Sequence, residues 1–330
     1  MTILITGGAG YIGSHMAWLC HDQKIPFIVL DDLSTGFRDN LPPGSNFIEG
    51  DIADEKLLYN LFKQHAVKTI IHFAAKIVVP ESVAHPLDYY RNNTAKACIL
   101  IDCAIKHGVK HFIFSSTAAV YGDAQVGLVT EQCAKTPTSP YGHSKLMVEQ
   151  VLADAHQAHG LSYVVLRYFN VAGADPQGRT GQSNPHATHL IKLANLTALG
   201  QREALLVYGD DYNTPDGTGI RDYIHVSDLV EAHACAWRYL QNGGAPLIAN
   251  CGYGHGFSVK EVVQTTKQVS GVDFEVKITQ RRAGDPASLV ADATIARHIL
   301  GWTPRYHDLD IIVRHALDWE TKIIIRRSDL

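Results

Sequence analysis

The sequence lacks most of the devices that hold a chain together from outside a hydrophobic core. Its 330 residues carry six cysteines, at 20, 98, 103, 133, 235 and 251, and no C-x-x-C pair. That spacing gives neither a disulfide framework nor a zinc ribbon, so free thiols in a reducing cytoplasm are expected. Among 18 histidines there is no H-E-x-x-H and no Cys/His cluster at ligand spacing. His156 and His159 share a helical face but have no third ligand nearby, so no metal is expected. No apolar run approaches the ~18 residues of a membrane span. The tail Ile323-Ile324-Ile325-Arg326-Arg327 is too short to anchor one. The chain opens directly on an apolar stretch, Thr2 to Thr6, which leaves no room for a secretory leader. Charge of neither sign dominates: 29 basic against 33 acidic residues give a net −4. A broad nucleic-acid footprint would need clustered base, so no nucleic-acid partner is expected. There is no internal repeat and no low-complexity tract.

What is present is ordinary globular material, 46% hydrophobic and 19% charged, long enough for about two domains. In the first 170 residues, short apolar runs alternate with longer amphipathic ones. Ile3-Leu4-Ile5, Phe27-Ile28-Val29-Leu30, Asn46-Phe47-Ile48, Thr69-Ile70-Ile71, Phe112-Ile113-Phe114 and Tyr163-Val164-Val165-Leu166 read as strands. Near-continuous apolarity suits strands buried on both faces of a parallel sheet. Residues 11–20, 54–65, 86–107 and 141–159 read as helices. The alternation predicts an α/β fold, a doubly wound parallel sheet of Rossmann type, over residues 1–170. Ser139 caps the last of these helices and Pro140 occupies its first turn. Residues 171–330 read as a smaller α/β substrate domain over the carboxyl edge of the sheet, with part of 220–257 returning to the first domain. Two helices are legible there, at 228–240 and after the capping box Ser258/Glu261.

Gly7-Gly8-Ala9-Gly10-Tyr11-Ile12-Gly13 follows the first strand and opens the first helix. Glycine permits the tight turn and lets backbone N–H groups approach a diphosphate at the positive end of the helix dipole. A plain turn also produces glycines, but here an acid follows the next strand. That acid, Asp31, suits the ribose hydroxyls of an adenosine and repels a 2′-phosphate, which favours NAD over NADP. Asp32 suits the turn that runs to Gly36. Arg38 reads as a surface arginine. Asp51 and Ile52, after the third strand, are candidates for the adenine edge, although an Asp before a helix also serves as a cap.

Tyr141-Gly142-His143-Ser144-Lys145 carries the chemistry. Tyr141 and Lys145 lie four apart, on one helical face. A phenol near pKa 10 is a poor base at neutral pH. A neighbouring ammonium, together with a positive nicotinamide ring, would lower that value. Ser115-Ser116-Thr117 supplies a partner hydroxyl at a strand end, where open α/β sheets place ligands.

These items together form the pattern of the extended short-chain dehydrogenase/reductase family. Five further motifs resemble its UDP-glucose (UDP-galactose) 4-epimerase branch, in order over nearly the whole chain. They are Phe114 to Gly122, Ser139 to Lys145, Arg167-Tyr168-Phe169-Asn170, Gly217 to Val226, and Arg281-Arg282-Ala283-Gly284-Asp285. The resemblance implies a redox-neutral isomerase. Tyr141 takes the proton of the sugar 4-hydroxyl while a hydride passes to tightly held NAD. The 4-keto sugar then turns, and both return on its other face. Thr117 would bond the 4-oxygen, and Lys145 the nicotinamide ribose. Phe73, Ala74, Ala75, Asn92 and Ser115 match cofactor-contacting segments, and Tyr168 packs against the cofactor. Asn170, His189, Tyr208, Arg221, Arg282 and Asp285 match positions that bind the UDP portion. Guanidinium forks suit a diphosphate. Salt bridges to Arg281 or Asp222 are the plain alternative for the arginines and their acids.

The departures are specific. Ile77 stands where some members have a lysine, and Lys96 where glycine is usual. Leu289, at a position that gates sugar size, is intermediate between the aromatic residues that exclude an N-acetyl group and the small ones that admit it. UDP-N-acetylhexosamine or UDP-pentose epimerisation therefore stays open. Ala118-Ala119 lack the Asp-Glu of a 4,6-dehydratase. UDP-glucuronate decarboxylation needs less extra machinery, and the Gly217 to Val226 motif leans away from it. A non-enzymatic NAD sensor would have favoured loss of Tyr141 or Lys145. The family's dimer helices correspond to residues 86–107 and 141–159, so a cytoplasmic homodimer is expected.

Overall fold

The structure, a computed structural model, describes residues 2–123, 127–282 and 285–328. Ala283 and Gly284, inside the last motif, fall outside them. All six expected strands form: β1 (Thr2–Thr6), β2 (Phe27–Asp31), β3 (Phe47–Glu49), β4 (Val67–His72), β5 (His111–Thr117) and β6 (Ser162–Tyr168). They pair in parallel in the order β6-β5-β4-β1-β2-β3. A seventh strand, Leu247–Cys251, extends the sheet beyond β6, also in parallel. Its apolar run is broken by Asn250, which hides it from a hydrophobicity reading. That amide is fully buried, accepting from the Tyr121 hydroxyl and donating to the Val129 carbonyl.

The strands are apolar on both faces because each face has its own core. Along β1, Ile3 and Ile5 enter one core and Leu4 the other. The first core receives Met16, Ala17 and Cys20 from helix Tyr11–Asp22, and Leu229, Ala232 and Ala236 from helix Val226–Gln241. The second receives Leu58 and Leu61 from helix Glu55–Gln64, Leu100 and Ala104 from helix Lys96–Lys106, and Val148 and Leu152 from helix Pro140–His159. Each of the Leu, Ile, Val and Met side chains among these contributes ~1.5–3 kcal/mol on burial.

The helix expected over 86–107 is not uniform. It runs as Pro86–Tyr89, a π-helical stretch Tyr90–Ala95, and Lys96–Lys106. The wide turn carries Asn93 inward, where its amide bonds both peptide groups flanking Lys76 and the Ser144 hydroxyl. Beyond residue 171, the Val226–Gln241 helix and the capped Val259–Ser270 helix form as read, the latter with both capping-box bonds. Two more helices, Leu190–Ala198 and Leu309–Ser328, were not legible. Each carries a buried charge, Lys192 or Glu320, that interrupts its apolar period, and the two charges pair with each other. The apolar tail is the end of the second helix. Ile323 is buried, and Arg326 lies over the Trp319 ring, while the Arg327 side chain lies outside the described residues. Among the described residues, no helix is long and apolar enough to cross a membrane.

Candidate active site

The dinucleotide end is built by close backbone approach. Gly7 has φ +67°, and a Cβ there would stand 2.5 Å from the Ala74 nitrogen. A Cβ on Gly13 would stand 2.2 Å from the Gly7 carbonyl oxygen. Helix Tyr11–Asp22 begins after Gly10, with no side chain capping its first N–H groups. Those donors stay available to an anion. Asp31, at the end of β2, accepts from Ala9 N–H at 2.9 Å and Leu33 N–H at 2.8 Å. Burial pushes its carboxyl up, and those backbone donors pull it back. Each carboxylate oxygen keeps a second lone pair, so the acid can also accept ribose hydroxyls. A bare glycine cradle, a free helix N-terminus and a buried acceptor fit NAD. Asp32 closes its own turn onto Ser34, and Arg38 lies over the Phe47 ring.

Around this cradle, Phe73 N–H donates to the Thr6 carbonyl, which carries Phe73, Ala74 and Ala75 past Gly7. Tyr11 reaches from the helix to the Gly173 carbonyl at 2.6 Å. Ile12 packs on the first core and Ile52 is buried in the second. Asp51 is already engaged. It accepts from Ala53 N–H at 2.8 Å and pairs with Lys96, the residue standing where glycine is usual, at 2.5 Å. Asn92 donates to the Asn93 side chain. Ile77 is exposed, while Lys76 pairs with Glu81 at 3.0 Å.

The chemical end gathers three elements. Ser139 accepts from Gly142 N–H and starts helix Pro140–His159, as its sequence demands. Tyr141 and Lys145 then face inward, 8% and 3% exposed. Thr117 ends β5, in register with Tyr168 at the end of β6. The Thr117 hydroxyl stands beside the Tyr141 phenol and favours its ionised form. Burial is the larger effect and pushes the phenol up. This is opposite in sign to the lowering expected from Lys145, because a phenolate loses more by leaving water than this neighbourhood returns. Lys145 donates to the Ser115 carbonyl at 3.0 Å and lies over the Phe114 ring. Burial pulls its ammonium down to about 7, against the raising effect of Glu149.

The residues matched to the UDP portion come together from distant segments. Leu289 lies in register with Arg221 on a short parallel strand pair. Arg221 pairs with Asp285 at 2.5 Å. Arg282 stacks over Tyr208, its guanidinium carbon 3.9 Å from the ring centre. Arg221 thus forms the plain salt bridge, with Asp285 rather than with Asp222. Arg281 pairs with Asp211. Asp222 turns inward and accepts from Tyr253, Gly254 and Ala291 N–H groups. Asn170 N–H donates to the Asp222 carbonyl. His189 precedes helix Leu190–Ala198 and lines a small cavity with Tyr11, Gly173, Lys192, Trp319 and Glu320. Among the described residues, its buried Nδ1 has no hydrogen-bond partner. Leu289 packs against the buried cluster of Ala118, Val120, Tyr121 and Val129, as do Cys133, Leu146 and Phe169.

Sequence reasoning missed the layer beneath these groups. Ser116 donates to Glu149 at 2.5 Å, and Arg167 clamps the same carboxylate through Nε and Nη2 while donating to the Tyr121 hydroxyl. His233 bonds the Ser115 hydroxyl at 2.8 Å. The available signal was a charged or polar residue on an otherwise apolar helical face, as Glu149 and His233 both are.

Comparison with known proteins agrees with this fold. Residues 3–252 match the model of the NAD dependent epimerase/dehydratase family. A UDP-glucose 4-epimerase of Azospirillum brasilense is 53% identical over 97% of this chain and 92% of its own length. The crystal structure of UDP-glucose 4-epimerase from Brucella ovis in complex with NAD superposes with a TM-score of 0.94 at 44% identity, covering 96% of this chain and 97% of that one. The UDP-Glc/GlcNAc 4-epimerase of Campylobacter jejuni gives 0.86 at 47% identity, covering 97% and 99%. With its parallel sheet, glycine cradle and Tyr-x-x-x-Lys face, the chain belongs to the NAD dependent epimerase/dehydratase family.

Proposed function

We propose that this chain is an NAD-dependent UDP-glucose 4-epimerase that interconverts UDP-galactose and UDP-glucose. The observation that carries the reading is the grouping of Tyr141, Lys145 and Thr117 at the carboxyl end of β5, in a chain 53% identical to an enzyme of that name. NAD, when bound, supplies a reversible hydride acceptor; Gly7, Gly10, Gly13, Asp31 and the run Phe73 to Ala75 would hold it. Tyr141 takes the proton of the sugar 4-hydroxyl and returns it after the 4-keto sugar has turned. One group acting as base and then acid leaves no net proton to dispose of. Burial holds the phenol up and Thr117 offsets only part of that, so the positive charge of the oxidised nicotinamide, when bound, would supply most of the lowering, with Lys145 beside it. Thr117 donates to the 4-oxygen. Arg221 and Arg282 bind the diphosphate, and Asp285, Asn170, Tyr208 and His189 complete the nucleotide site.

The N-acetylhexosamine reading keeps one specific support. Leu289 is smaller than an aromatic gate, and one similar structure is named for both UDP-Glc and GlcNAc. A homodimer through residues 86–107 and 141–159 belongs to the same proposal, as does a cytoplasmic location. Light scattering of the purified protein tests the dimer.

The deciding experiment is a proton NMR time course of the purified protein with UDP-galactose and no added NAD. Growth of the UDP-glucose anomeric signal to a constant mixture is the expected result. Tyr141→Phe should retain NAD and lose most turnover. No change, even after NAD is supplied, sinks the substrate assignment and moves the search to UDP-N-acetylhexosamines, UDP-pentoses and UDP-glucuronate.

A further inference from the structure

His233 lies 118 residues from Ser115 in sequence and directly behind it in space. It projects from helix Val226–Gln241, is fully buried, and has the Phe73 and Tyr168 rings on its flanks. The Phe73 centroid is 4.8 Å away and the Tyr168 centroid 6.4 Å. Its Nδ1 sits 2.9 Å from the Leu229 carbonyl oxygen one turn back. A carbonyl only accepts, so Nδ1 must carry the proton. A neutral ring then presents Nε2 as a lone pair, and the partner 2.8 Å away must donate. The Ser115 hydroxyl is therefore the donor, and its direction is set by the Leu229 carbonyl. Burial holds the imidazole down to about 4, so this polarity persists across the neutral range.

Ser115 has a second engagement. Its carbonyl oxygen accepts from the Lys145 ammonium at 3.0 Å, and two residues further on Thr117 meets Tyr141. Around Lys145 lie the Phe114 ring and the Ser115 carbonyl from β5, Tyr141 and Glu149 one turn either way along its own helix, and the His72 imidazole from β4. Of these, the Ser115 carbonyl is the one the ammonium bonds.

We propose that His233 is a positioning residue for the reaction: locked as the Nδ1–H tautomer by Leu229, it accepts the Ser115 hydroxyl and fixes the peptide whose carbonyl binds Lys145. It touches neither substrate nor cofactor in this role. The inference rests on the assignment of Tyr141 and Lys145 above, which Tyr141→Phe tests separately. If Tyr141→Phe loses turnover and the His233 variants behave normally, only the present inference fails.

Three variants of the holoenzyme test it. His233→Phe keeps the bulk and removes the acceptor. His233→Gln places an amide oxygen near the Nε2 position. Ser115→Ala removes the donor. His233→Phe should lower kcat about tenfold with KM within about twofold. A less well held ammonium loses its proton more easily, so the basic limb of the kcat–pH profile should move to lower pH. Gln should restore both. In the Ser115→Ala background, His233→Phe should add little, because the shared bond is already gone. Nitrogen-15 NMR of the unsubstituted holoenzyme should show His233 as a neutral Nδ1–H imidazole from about pH 6 to about pH 8.5. A folded His233→Phe with an unmoved pH profile, additive effects in the double variant, or an Nε2–H ring would overturn the proposal. The NMR result decides even if the Phe variant fails to fold.

Discussion

Arg221 donates from Nη2 to Asp285 Oδ1 at 2.5 Å while its Nη1 donates to the Ile220 carbonyl at 2.8 Å. The guanidinium is thus set in place from both sides by groups of this chain. Its side chain is 12% exposed. A fork held this way would meet the proposed diphosphate without first losing rotamer freedom.

Asp285→Asn should therefore raise KM for UDP-galactose about tenfold and leave kcat within about twofold, since the loss is one of ground-state binding. Arg221→Lys should act in the same direction, because an ammonium cannot reproduce the fork. Steady-state kinetics of both variants provide the check. A fall in kcat at unchanged KM would contradict the assignment.

Gly13→Ala should disable cofactor retention. The added methyl would stand 2.2 Å from the Gly7 carbonyl, a backbone atom that cannot swing aside. The turn must open, and the helix end withdraws from the diphosphate position. The purified variant should carry less than about a tenth of the normal NAD, measured by acid release and assay of the nucleotide.

Glu149→Gln should cost stability more than its size suggests. Arg167 and Glu149 are 1% and 4% exposed and joined at 2.5 Å, so removing one charge strands the other. Such breaks cost ~3–5 kcal/mol. Urea unfolding of the variant reads this directly, and the paired change Glu149→Gln with Arg167→Met should recover part of the loss.

Acid should destabilise the fold before most carboxylates titrate. Burial lowers His15 and His233 to about 4 and His72 to about 3. Their unfolded values lie near 6.5, so between about 6.5 and 4 the unfolded chain binds more protons than the folded one. The stability from these rings is complete above about 6.5 and is lost as pH falls toward about 4. Calorimetric melting temperatures should drop steadily over that window. His15→Gln should flatten part of the slope, since it removes one of these rings, whose Nε2 has no hydrogen-bond partner among the described residues.

The sequence made the sheet legible because its strands, apolar on both faces, have no other place to go. The catalytic face was legible because Ser139 and Pro140 pin the register of the Tyr141 helix. What stayed hidden was polar and buried. Asn250, Lys192, Glu320 and His233 each break an apolar pattern, and each is matched by a partner more than 100 residues away. A periodicity reading sees only the break, not the partner. The arginines show the same limit: their residue types pointed to an anion, but only the fold reveals that Arg221 faces Asp285 and that Asp222 turns to the backbone.

The edge strand Leu247–Cys251 bears on how the protein is made. Until it arrives, β6 presents an unpaired row of backbone groups along Val164, Val165 and Leu166, all fully buried in the finished molecule. During synthesis that row is exposed for the time needed to add roughly 80 further residues, several seconds or more at ordinary elongation rates. A fragment stopped near residue 170 would keep the edge permanently and should pair with its own copies. The first half of the chain contains the cofactor cradle, yet it depends on the second half for a finished border.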